Sequence, residues 1–99
     1  MNHPTIGRRV NYWPRLEERT LPGDQPFDAG IVYVHKAEGA TQIVNLSVIN
    51  ELGYAVPGKV GITLRQTPAE AVPGEASWME YHVAADKRAA GTDKSVTGR

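Results

Sequence analysis

The chain has 99 residues, 40% of them hydrophobic and 22% charged, which is enough for one domain and too few for two. Eleven basic residues cancel eleven acidic ones, which argues against a protein built to grip phosphate backbones. The absence of cysteine excludes disulfides, thiolate metal sites and cysteine nucleophiles.

Five segments read as strands between turn formers. Gly7 to Trp13 (GRRVNYW) sets Val10 and Tyr12 on one face and Arg9 and Asn11 on the other, and Pro14 closes it. Arg15 to Ala29 holds Pro22, Gly23 and Pro26 and reads as a long loop with a helical turn at Leu16 to Arg19. Gly30 to Lys36 (GIVYVHK) sets Ile31, Tyr33 and His35 opposite Val32 and Val34, so apolar residues on both sides predict a strand covered on both faces by a partner subunit. After the Glu38-Gly39 turn, Thr41 to Asn50 (TQIVNLSVIN) points Val44, Leu46 and Val48 inward and Asn45 and Ser47 outward. Only about four residues join these two strands, so they form an antiparallel hairpin.

Glu51 to Tyr54 and Pro57-Gly58 are turns. Lys59 to Arg65 (KVGITLR) then alternates with Val60, Ile62 and Leu64 on one face, and Gly61 marks a bulge or a close backbone approach. Gln66 to Ala76, with Pro68, Pro73 and Gly74, is a second exposed loop, and Ser77 to Val83 is the fifth strand. Residues 84–99 lack periodicity and carry four basic against two acidic side chains; they read as a flexible tail or one ordered by a partner, with a short helix at Ala84 to Ala90 as the alternative. The expected domain is therefore 1–83 with a tail at 84–99. Its fold class is all-β, a small five-stranded antiparallel SH3-like barrel or curved sheet. An OB-like barrel fits less well, because nothing between the third and fourth strands looks like its helix.

The pieces Gly7-x-x-Val10-x-Tyr12, Ile31 to Val34, Val44-Asn45-Leu46 with Val48, Val60 to Leu64 and the late Trp78 resemble a family of small β-barrel proteins of tailed phages and prophages. The resemblance spans residues 6–82. Members tend to close with tryptophans two apart, whereas here Trp78 is followed by Glu80. The family is functionally unassigned, so the resemblance implies a phage origin and a barrel and transfers no catalytic residue. No apolar stretch approaches the roughly 18 residues of a membrane span, and the N-terminus lacks the apolar region of a signal peptide. A soluble protein of the host cytoplasm or the virion is the expectation.

Catalytic chemistry has no signature. His3, His35 and His82 have no helical metal-site spacing, no serine lies in G-x-S-x-G, and the glycines fall singly in turns. Glu17-Glu18 lies beside Arg15 and Arg19, as in a solvated turn. No catalytic residue, metal ligand or cofactor is expected. The candidate ligand-binding set is aromatic and basic: Arg8, Arg9, Tyr12 and Trp13 on the first strand, Tyr33 and His35 on the second, Trp78 and Tyr81 on the fifth. If the first and last strands are neighbours, these rings make a platform for a base or proline rings, with arginine supplying a fork for phosphate or carboxylate. Tyr12 and Trp78 serve equally well as core or dimer-interface residues.

The leading functional expectation is a non-enzymatic phage-type binding protein. It acts as a homo-oligomer assembled through strand edges and the apolar face of strand two, as a minor virion or decoration component contacting phage or host protein. The rival is a counter-defence protein that sequesters a small nucleotide between subunits, resting on Arg8, Arg9 and Trp13. A nucleic-acid-binding barrel comes third.

Overall fold

The computed structural model describes residues 2–39 and 41–79. Six strands form one sheet: β1 (Arg9–Tyr12), β2 (Phe27–Lys36), β3 (Gln42–Ile49), β4 (Ala55–Val56), β5 (Ile62–Arg65) and β6 (Ala76–Ser77). Their order is β2-β1-β6-β5-β3-β4, and β2 also pairs with β3, so five strands close into a barrel with β4 added at the edge of β3. The protein is thus all-β, with only two single-turn 3-10 helices at Leu16–Glu18 and Pro68–Glu70 among the described residues. No helix among those residues is long and apolar enough to cross a membrane.

The path is SH3-like in outline: a first strand, a long loop, a meander, a 3-10 turn, and a closing strand that returns beside the first. β6 pairs antiparallel with β1 and parallel with β5, so the barrel is mixed at that one seam. The parallel step follows from the connection. Residues 66–75 carry the chain back across the barrel end before β6 begins, which reverses its direction relative to a hairpin return.

Alternation carries β1 and β3 as expected. Val10 and Tyr12 point inward, as do Val44, Leu46 and Val48, and all pack with Ile31, Leu64, Ala76 and Trp78 in one core. The inward parity of β3 extends to Gln42, which is fully buried. Its Nε2 donates to the carbonyls of Asn2 (2.8 Å) and Ala37 (3.0 Å). Its Oε1 accepts from Gln66 Nε2 (3.0 Å) and Trp78 Nε1 (3.4 Å). A polar side chain is tolerated at the barrel end because each of its atoms finds a partner there.

Strand two departs from the expected alternation. Its register against β3 shifts between Ile31 and Tyr33 and again between Val34 and Lys36. The extra residues Val32 and His35 break the period of two, so Ile31 is buried and Val34 packs on the core while Val32 and Tyr33 face out. The strand is not covered on both faces. It also begins earlier than expected, at Phe27, because β1 pairs with residues 27–30.

The fourth expected strand is shorter than its pattern. Gly61 adopts φ +67°, a conformation that favours glycine, and the ladder starts only at Ile62. Val60, before the break, is exposed rather than inward. The fifth strand is observed as Ala76–Ser77; its expected continuation through 80–83 and the 84–99 tail lie outside the described residues.

Candidate binding surfaces

The expected aromatic platform does not assemble. Tyr12 and Trp78 are each 1% exposed and belong to the core, since the inward parity of β1 and the closure by β6 take both rings inside. Trp13 sits past the end of β1, half-buried, and its indole N–H donates to the buried Ser77 hydroxyl at 3.0 Å. Its backbone closes the 66–76 loop: the Trp13 N–H donates to the Glu75 carbonyl at 2.8 Å, and the Trp13 carbonyl accepts the Gly74 N–H at 2.7 Å. Arg9 is engaged in a two-pronged ion pair with Asp28 on the neighbouring strand. Arg8 is exposed, immediately before the first residue of β1. Neither groove described below is lined by Arg8, Arg9 or Trp13. Tyr81 lies outside the described residues.

Tyr33 and His35 do come together. Their rings meet edge to face with centroids 4.8 Å apart on the bulged outer half of β2. His35 Nε2–H donates to Asn45 Oδ1 at 2.8 Å, and the same oxygen accepts the Gly61 N–H at 2.9 Å. This bond fixes the imidazole against β3 and leaves Tyr33 54% and Val32 51% exposed beside it. Ile6, 70% exposed, precedes Gly7, whose N–H donates to the Ile31 carbonyl at 2.7 Å. That bond brings Ile6 to the same border of the barrel. Beyond Ile31 the register with β1 has ended, so among the described residues this half of β2 pairs with β3 alone.

A polar groove of about 580 Å³ opens on another side, between the turn 58–61 and the loop 72–75, with Tyr12, Arg15 and Thr63 also lining it. Two of its lining side chains, Tyr12 and Lys59, are joined through Glu18. The Tyr12 hydroxyl donates to Glu18 Oε1 at 2.8 Å, the Arg15 amide donates to the same oxygen at 2.8 Å, and Lys59 Nζ pairs with Glu18 Oε2. The Lys59 ammonium also lies 5.3 Å from the centre of the Tyr12 ring.

Burial alone would raise the Glu18 pKa, but Lys59, the Arg15 amide and the Tyr12 hydroxyl together hold it below the ordinary carboxylate range. Burial would depress Lys59, yet the bond to Glu18, together with Tyr12, more than offsets this and its pKa is raised. Burial, then the bond to Glu18, raises Tyr12. The ionised carboxylate, neutral phenol and charged ammonium are therefore the ground state of this set. The sequence expectation places Glu18 in a solvated turn; the structure half-buries it against Tyr12 and Lys59. One signal was available: Glu18 is the third residue after Arg15, where a carboxylate can reach back to a turn's first amide. Nothing local pointed to Lys59, 41 residues away.

A second groove, of about 450 Å³, lies between the loop 21–26 and the turn at Asn50-Glu51. Glu51 fastens it shut at one end by accepting the N–H groups of Thr20 and Leu21 and the Thr20 hydroxyl. Among the described residues no group of three His, Asp or Glu side chains is placed to hold a metal ion.

Among the described residues, these features define a small closed barrel with an apolar border on β2 and a polar groove beside the turn 58–61. Compared with known proteins, the chain matches no family model, no curated protein and no solved structure.

Proposed function

We propose that this protein is a non-enzymatic binding barrel that acts as a homo-oligomer, as a small phage-type structural component would. The observation that carries this is Val32 and Tyr33, 51% and 54% exposed on the half of β2 that among the described residues pairs with β3 alone, with Ile6, 70% exposed, next to Gly7, which bonds to Ile31. A thin core leaves such surface without cover, and a second copy removes it from water. The formal net charge of zero lets two copies approach without net repulsion, and a two-fold axis would pair the patch with itself.

Side-chain packing is favoured over strand-edge pairing. The two bulges in β2 interrupt the row of backbone groups that an added strand would need. Tyr33, with His35 clamped behind it by Asn45, is a rigid anchor at low entropic cost. The polar set in the groove is internally satisfied, which suits a structural wall better than an acid or base waiting for a substrate.

The test is Val32→Asp, examined by light scattering behind size exclusion over a dilution series. Val32 is exposed, so the fold should survive, while a carboxylate placed in the patch should weaken association by about tenfold or more. An unchanged association constant would refute the assignment of the interface to this border.

A further inference from the structure

We propose that the groove between the turn 58–61 and the loop 72–75 is a binding site for an oxyanion, a phosphoryl or carboxylate group, with the Arg15 guanidinium as its principal contact. The site is separate from the apolar border and does not depend on the oligomer.

The cation lies along the groove wall, against Gly74. Arg15 opens the 3-10 turn Leu16–Glu18, after the buried Pro14, with its own amide bonded to Glu18. Its guanidinium lies across the backbone of Gly74: a Cβ at that position would stand 2.8 Å from Nε and 3.0 Å from Nη2. Gly74 is at φ +93° with its N–H donated to Trp13, so glycine is needed there both for the conformation and for the approach of the arginine. The guanidinium therefore lies against Gly74 at the groove wall while staying open to solvent on its other side.

Its charge is also unmatched. Glu18 is committed to Tyr12, the Arg15 amide and Lys59. Glu75, which lines the groove, is committed to Arg65 through two bonds of 3.0 and 3.1 Å and to the Val72 amide. With both carboxylates paired, the described residues offer the Arg15 guanidinium no acceptor, and its planar fork is shaped for two oxygens of one anion. Lys59, on the opposite wall, is already matched by Glu18, and the Thr63 hydroxyl on the lining adds a donor. A groove of about 580 Å³ accommodates a small molecule or the end of a longer one.

The experiment is a ¹H–¹⁵N titration of the full chain with sodium phosphate and, separately, sodium acetate, each at ionic strength held constant with sodium chloride. Saturable shifts are expected at the Arg15 Nε–H and at the amides of Lys59 and Gly74. Saturation by phosphate alone identifies a phosphoryl ligand, and saturation by acetate as well identifies a carboxylate-bearing one. Arg15→Gln should weaken binding by about tenfold or more. Lys36→Gln, a charge removed from the exposed end of β2, should leave it unchanged. Shifts that never saturate, or that survive in Arg15→Gln, or that weaken equally in both variants, overturn the proposal.

Discussion

Glu18→Gln is the sharpest perturbation of the barrel that the structure offers. The amide keeps the shape and one acceptor for the Tyr12 hydroxyl and the Arg15 amide, but it places an NH₂ where Lys59 needs an anion. Removing one partner of a fully buried pair costs about 3–5 kcal/mol, and of an exposed one about 0–1 kcal/mol. The Lys59 and Glu18 side chains are 16% and 15% exposed, nearer the buried limit but still wetted. The expected loss is therefore about 2–3 kcal/mol, or a fall in Tm of roughly 10–20 °C for a domain of this size. Lys59→Met leaves Glu18 two neutral donors and should cost less, about 1–2 kcal/mol. The double variant should fall short of the sum by about 1 kcal/mol or more, because the second change removes a group the first has already orphaned. Urea unfolding of all four proteins closes the cycle. A Glu18→Gln variant within about 0.5 kcal/mol of the parent, or strictly additive single changes, would refute the coupling drawn here.

Gln42→Ala strips partners from the Asn2 and Ala37 carbonyls, Gln66 and the Trp78 indole at once, and should cost about 2–3 kcal/mol in urea unfolding; an unchanged midpoint would mean that water replaces the amide without loss. Acid should destabilise the protein in a definite window. Arg65 lowers the Glu75 pKa, and the partners of Glu18, against its burial, lower that one. A depressed folded value contributes stability that is present above the ordinary value of 4.5 and is lost as pH falls through the folded value. Tm should hold steady near neutrality and drop below about pH 4.5, with a shallower drop in Glu18→Gln; a Tm that rises in acid would reverse the sign of the account.

Much of the barrel was legible as alternation. Val10 with Tyr12, and Val44 with Leu46 and Val48, lie on the inward parity that their spacing gives. The same parity puts Gln42 inward, where its hydrogen bonds rather than its polarity decide its place. Strand two defied it because bulges at Val32 and His35 each consume a residue, and a bulge leaves no mark in a run of β-branched and aromatic residues. The start of β2 at Phe27 was hidden by Pro26 and Gly30, which read as loop punctuation, and Val60 was assigned inward because its parity takes no account of the positive φ at Gly61.

The binding surfaces were less legible than the fold. Residue type proposed Tyr12 and Trp78 for a platform, but parity and closure put them in the core, while Arg9 found Asp28 across a strand that had been read as loop. Tyr33 with His35 survives as a surface pair for a reason the sequence does not contain, the bond to Asn45. The Glu18–Lys59 contact and the Arg15–Gly74 approach depend on loops meeting across the barrel, which no local pattern encodes.

Self-association through an apolar border is the central claim, and sedimentation equilibrium of the full chain at low and high salt tests it most directly. At about 10 µM the account predicts a mass of at least two chains that is insensitive to added sodium chloride, because the interface is apolar and salt screens only charge. A single-chain mass maintained up to about 100 µM, or an oligomer that dissolves as salt is raised, would contradict it.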